Sequence, residues 1–181
     1  MTLSELLTRV CTSFAAQNID SMLIGGMAVA MWVEPRSTDD CDMVVKVTKR
    51  YVTPLKQALI AAGARVTALE MRWLFERPWI RLKTAGPKLD LHRCLTPHDR
   101  AAFERGALVE REGMRLRIAT PEDLILYKLQ AWRPHDRADI HELLVQVKDQ
   151  DRRYIESWLD QIARATSAPM RDRWADSLRG L

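Results

Sequence analysis

LIGGMAVAMWVEPRSTDDCDMVVKV, residues 23–47, decides how this chain is read. It opens as an apolar strand and turns at Gly25-Gly26. It then runs as a short helix over Ala28 to Trp32 that Pro35 closes, and resumes as a strand from Asp40 to Val47. Side chains two apart on a strand share a face, so Asp40 and Asp42 present two carboxylates side by side at the end of a buried apolar strand. Like charges at that spacing raise one another's pKa, and burying them uncompensated is costly. A divalent cation is the expected remedy, and hard oxygen ligands with room for water and phosphate oxygens suit Mg²⁺. The alternative is that Asp40 caps a turn and Asp42 is a solvated edge residue, because D-x-D by itself is a short pattern.

The residues around the pair favour the first reading. Gly25 and Gly26, placed directly after Met22-Leu23-Ile24, leave the backbone bare at a strand-to-helix turn where amide groups can receive an anion. Arg36, Ser37 and Thr38 add a guanidinium fork and two hydroxyls suited to phosphate oxygens. A phosphate cradle therefore stands beside a metal site.

Gly25-Gly26 followed by Arg36-x-Thr38-x-Asp40-x-Asp42 resembles the nucleotidyltransferase superfamily with the DNA polymerase beta type of catalytic core, and more closely the AbiEii-type abortive-infection toxins. The resemblance implies an α/β (α+β) fold with a small mixed sheet and a helical C-terminal part that closes over the nucleotide. It implies two Mg²⁺ ions as cofactors, an NTP as substrate, and a third carboxylate on a neighbouring apolar strand that helps deprotonate the attacking hydroxyl. Asp90, in Lys88-Leu89-Asp90-Leu91-His92, fits that description, so Asp40, Asp42 and Asp90 are the expected catalytic and metal-binding residues. Asp123 and Lys128 match a D-x-x-x-x-K pattern of the toxins, which implies that Lys128 reaches the nucleotide phosphates; a capping Asp and a surface Lys are the plainer alternative. Asp136, Arg137 and Asp139 are further matches, in the order Asp-Arg where the family has Arg-Asp.

The chain has 181 residues, 47% of them apolar and 29% charged, as expected for an ordered globular protein with a sizeable core. A net charge of +4 leans toward a polyanionic partner such as RNA. Cys11, Cys41 and Cys94 form no C-x-x-C pair, which argues against a disulfide framework or a structural zinc site and suits a reducing cytoplasm. No apolar run approaches the length of a membrane span, and the N-terminus reads as an amphipathic helix capped by Ser4.

Downstream, Thr53-Pro54 opens a helix that Gly63 ends. Between Arg65 and Leu91 three strand-like runs are expected, at Val66–Leu69, Met71–Phe75 and Trp79–Leu82. Trp73 and Trp79 are candidates to stack on a base, against the commoner core or interface role. His92 is read as pointing to the face opposite Asp90 and as structural. Leu108–Arg111 and Met114–Ile118 read as a hairpin in which Arg115 and Arg117 share a face. Thr120-Pro121 caps a helix, Asp136 to Val147 forms another, and two more follow from Asp151. The expected organisation is a catalytic core over residues 1–118 with a helical part over 119–181.

Three functions compete, in this order: NMP transfer from an NTP to RNA, such as tRNA, by a toxin with a cognate antitoxin protein, which is the expected function; NMP transfer to a small molecule such as an aminoglycoside; and a non-catalytic binding module of the same fold. The second has drug-modifying relatives with acidic acceptor clefts, whereas this chain is basic.

Overall fold

The computed structural model describes residues 1–34, 37–111, 114–179 and 181. Six strands form one mixed sheet: β1 (Ser21–Ile24), β2 (Asp40–Val45), β3 (Trp79–Leu82), β4 (Lys88–Arg93), β5 (Ala107–Arg111) and β6 (Met114–Ile118). Their order across the sheet is β3-β4-β2-β1-β6-β5. β1 runs antiparallel to β2 and parallel to β6, and β2 runs parallel to β4. The α/β class expected from the sequence is the one observed.

Alternation divides the sheet between two environments. Leu23, Cys41, Met43, Leu89 and Leu91 are fully buried on one face, on the side of α1 (Leu3–Ala16), α3 (Val52–Ala61) and α4 (Ala68–Glu76); α1 packs on α3 and on β2 and β6, and α4 packs on β3 and β4. Ile24, Asp42, Asp90 and Arg81 fall on the other face by register. That second face is only partly covered, by α2 (Gly25–Val29), α6 (Pro121–Ala131) and α7 (Pro134–Gln146). The open part of it is a cleft. α8 (Arg152–Thr166) and α9 (Met170–Arg179) pack on α6 from outside. One cluster of buried apolar side chains joins Leu6 and Phe14 to Leu124, Ile140, Leu159 and Trp174, so it draws on both the sheet and the C-terminal helices. Among the described residues no helix is long and apolar enough to cross a membrane.

Several local expectations are corrected. Thr2, not Ser4, caps α1, in a reciprocal box with Glu5. Residues 68–76, read as parts of two strands, form α4, and the cause was present in the sequence: Thr67 and Glu70 cap each other's backbone amides. α2 starts at Gly25 rather than at Ala28. Pro97–Arg105 is α5, capped by Thr96 and Asp99. The hairpin of β5 and β6 is present, while its turn at residues 112 and 113 lies outside the described residues.

Candidate active site

Register, rather than proximity in sequence, assembles the site. β2 and β4 are parallel neighbours in which Asp42 pairs with Asp90 and Asp40 with Lys88. Because Asp40 and Asp42 are two apart, all three carboxylates face the same side of the sheet and line one cleft of about 900 Å³. Gly25, Gly26, Ser37, Thr38 and Lys128 line it too. Arg36 lies outside the described residues.

The carboxylates are not equivalent. Arg81 on β3, opposite Asp90 in the antiparallel pair, donates to Asp90 Oδ1 at 2.7 Å and Oδ2 at 2.6 Å, and its Nη2 donates to Asp40 Oδ2 at 3.1 Å. The guanidinium thus bridges two of the three acids, and these bonds hold it firmly protonated. Asp42 lacks that help. Burial, then the charges of Asp90 and Asp40, push its carboxyl up to about 6. Its neighbour is Gly25, whose φ is +68° and where an added Cβ would stand 2.0 Å from Asp42 Oδ2. Glycine at 25 is therefore required by the carboxylate itself, besides any role for its amide. No side chain caps the first turn of α2.

Among the described residues no three His, Cys, Asp or Glu side chains stand close enough to hold one metal ion together. Arg81 takes the place of such a partner for Asp90. A divalent cation nevertheless fits Asp40 and Asp42. Asp40 Oδ1 is buried without a hydrogen-bond partner among the described residues, and Asp42 carries a charge that its surroundings resist. A hard cation relieves both conditions at once.

Lys128 comes to the cleft wall from α6 by way of a helix break. Trp132 adopts φ +54° and ends α6, and the chain restarts as α7 with Asp136 in its first turn. Lys128 Nζ is buried, 2.5 Å from Asp139 Oδ2 and 3.2 Å from Asp136 Oδ1. Asp136 also accepts from Arg133 Nε at 2.7 Å. Burial pushes the Asp136 carboxyl up, but the hydrogen bond from Arg133 and the charge of Lys128 outweigh it, and the net direction is down. Asp136 and Asp139 thus hold the Lys128 ammonium in place. Arg137 is exposed on the far side, over the Trp132 ring, and does not line the cleft.

Asp123 is likewise separate from the cleft. It is wholly buried and accepts from Tyr154 Oη at 2.7 Å, Thr120 Oγ1 at 2.9 Å and His98 Nε2 at 3.1 Å. Burial raises its carboxyl, these donors outweigh burial, and it stays charged. It joins α5, α6 and α8 rather than lining the cleft.

The placement of His92 is a further correction. Positions 90 and 92 are two apart, so they share a face, and His92 lines the cleft beside Asp90. Its ring stacks on Trp79, the register partner on β3, with centroids 5.8 Å apart and planes 20° apart. Burial lowers its pKa and keeps the imidazole neutral near pH 7. Trp73 instead packs under Arg77. Sequence reasoning missed Arg81 and Arg133. Trp79-x-Arg81 followed by Asp90-x-His92 is the one trace of β3 facing β4, and it has meaning only once the pairing is known.

No family model matches the sequence, and no curated protein sequence does. Solved structures do match. An antigenic nucleotidyltransferase-like protein from Paracoccidioides brasiliensis is 17% identical with a TM-score of 0.56, over 99% of this chain and 94% of that one. The lincosamide antibiotic adenylyltransferase LnuA, bound to lincomycin, is 18% identical with a TM-score of 0.53, over 81% of this chain and 99% of that one. ANT(2")-Ia with adenylyl-2"-tobramycin is 16% identical with a TM-score of 0.53, over 98% of both chains. At these identities the likeness concerns the fold, and the fold of this chain is that of nucleotidyltransferases.

Proposed function

We propose that this protein transfers an NMP from an NTP to the hydroxyl of a small acceptor. The observation that carries the reading is the convergence of Asp40, Asp42 and Asp90, from two parallel strands, on one cleft beside the Gly25-Gly26 turn. Asp40 and Asp42 would hold Mg²⁺, while Asp90, held by Arg81, would stand next to the acceptor hydroxyl; when bound, the metal would neutralise phosphate charge and lower the pKa of that hydroxyl. The chain's own contribution is positioning. The α2 amides, Ser37, Thr38 and Lys128 would orient the triphosphate, with Arg36 as expected from the sequence. Asp136 and Asp139 fix the direction of the Lys128 ammonium, and Arg81 fixes Asp90.

A cleft of about 900 Å³ lies in the size range of small-molecule sites, which supports a small acceptor. So do the two neighbours of this fold that act on or hold an antibiotic. An RNA acceptor, in a toxin neutralised by a partner protein, is the second reading, and the surplus of positive charge favours it.

Incubation with Mg²⁺, each α-labelled NTP in turn, and total RNA or a panel of small hydroxylated compounds that includes amino sugars and lincomycin tests both readings. Label on a small compound is the expected result; label in RNA replaces the first reading with the second. Asp42→Asn abolishes transfer in either case, and no label on any acceptor, with the same Mg²⁺ affinity in both proteins, would sink the enzyme.

A further inference from the structure

The cleft has two ends, and they differ in chemistry. Across the sheet the strands run β1, β2, β4, β3, so the Gly25-Gly26 turn after β1 lies on one side of the carboxylates and Trp79 with His92 on the other. Phosphoryl transfer places attacking and leaving oxygens roughly in line. With the triphosphate at the glycine turn, the attacking hydroxyl comes from the Trp79 side, next to Asp90. That side carries the exposed apolar surface of the cleft. Trp79 is 45% exposed and Leu95, just beyond β4, is 43% exposed, and among the described residues they alone of the exposed large apolar side chains line the cleft. A water-facing indole braced flat on an imidazole ring is a ready stacking surface.

The charges at this end narrow the occupant. Arg81 and Arg93 are its cations, and Asp90 and Asp99 are its carboxylates. Arg81 holds Asp90, and Asp99 accepts from Tyr127 Oη at 3.0 Å and from the amides of Leu95 and Thr96 at 2.9 and 2.7 Å. Cations and carboxylates balance, so this end offers a polycation no surplus of negative charge. We infer that the Trp79–His92 stack beside Asp90 is the acceptor subsite, and that it takes a hydroxylated ring compound bound by its apolar face, neutral or weakly charged rather than polycationic. This rests on the transfer reading above, and the test separates the two.

Binding is read without turnover in protein labelled with 5-fluorotryptophan, whose Trp79 resonance is identified by its loss in Trp79→Phe. The probes are ATP with Mg²⁺, deacylated tRNA, and a set of hydroxylated ring compounds that includes lincomycin as a weakly charged member and tobramycin as a polycationic one. The expected result is that weakly charged rings shift the Trp79 resonance and ATP does not. Where transfer occurs, Trp79→Ala raises the acceptor KM by about tenfold, the effect of one lost aromatic contact, leaves the NTP KM within about twofold, and Trp79→Phe recovers most of the loss. A shift with ATP alone overturns the assignment, as does a shift only with tobramycin, a shift only with tRNA, or none with any ring compound. Rings bound at Trp79 with no nucleotide transferred refute the enzyme and leave the subsite standing.

Discussion

Asp42 is the residue on which the site turns, because it is a buried acid that the fold does not neutralise. Its carboxyl is raised from 3.8 to about 6, so between those values the folded state binds the proton that the unfolded chain has released. In EDTA the stability of the protein should fall as pH rises from about 4 to about 6, by on the order of 2 kcal/mol. Asp42→Asn should remove that slope and melt at the same temperature as the wild type, or higher, at pH 7. Mg²⁺ should raise the melting temperature of the wild type at pH 7 and not that of the variant, and equal Mg²⁺ stabilisation of both would show that Asp42 is no ligand. Gly25→Ala is the complementary change. It forces a side chain into a left-handed backbone position and onto the Asp42 carboxylate, at a cost of about 2 kcal/mol read by urea unfolding.

Among the elements, β3 and α6 carry interactions that point in different directions. The Arg81 fork from β3 supports Asp90 and Asp40, but it is half exposed, so Arg81→Ala should cost only about 1 kcal/mol in EDTA. Added Mg²⁺ should recover that loss, since the cation takes over the same charges. α6 is held from its other side. Asp123→Ala strands the donors of His98, Tyr154 and Thr120 in the core and should cost about 3 kcal/mol, while affinity for NTP is unchanged because Asp123 does not line the cleft. A loss of NTP binding without a loss of stability would restore Asp123 to the site. The strands misread at residues 66–75 teach the same lesson: apolar runs too short to show a period are settled by caps, and Thr67-x-x-Glu70 is such a cap.

For the whole molecule, the shared apolar cluster predicts one cooperative unfolding transition despite the division expected at residue 118. Urea curves followed by tryptophan fluorescence and by far-UV circular dichroism should coincide, and separate midpoints would show two units. The sequence by itself determined the α/β class, the Gly25-Gly26 turn, the paired acids of β2 and the candidate Asp90, because each follows from local spacing or from a family pattern that spans few residues. It equally contained the capping signals of α1, α4, α5 and α6, which act within four positions. What only the tertiary structure decided is which groups meet. Arg81 on Asp90, Lys128 between Asp136 and Asp139, Asp123 turned to His98 and Tyr154, and Trp79 on His92 all depend on strand register or helix packing. Those contacts are set by burying the apolar faces of the sheet and helices, a choice made by the whole core and written in no single stretch of the chain.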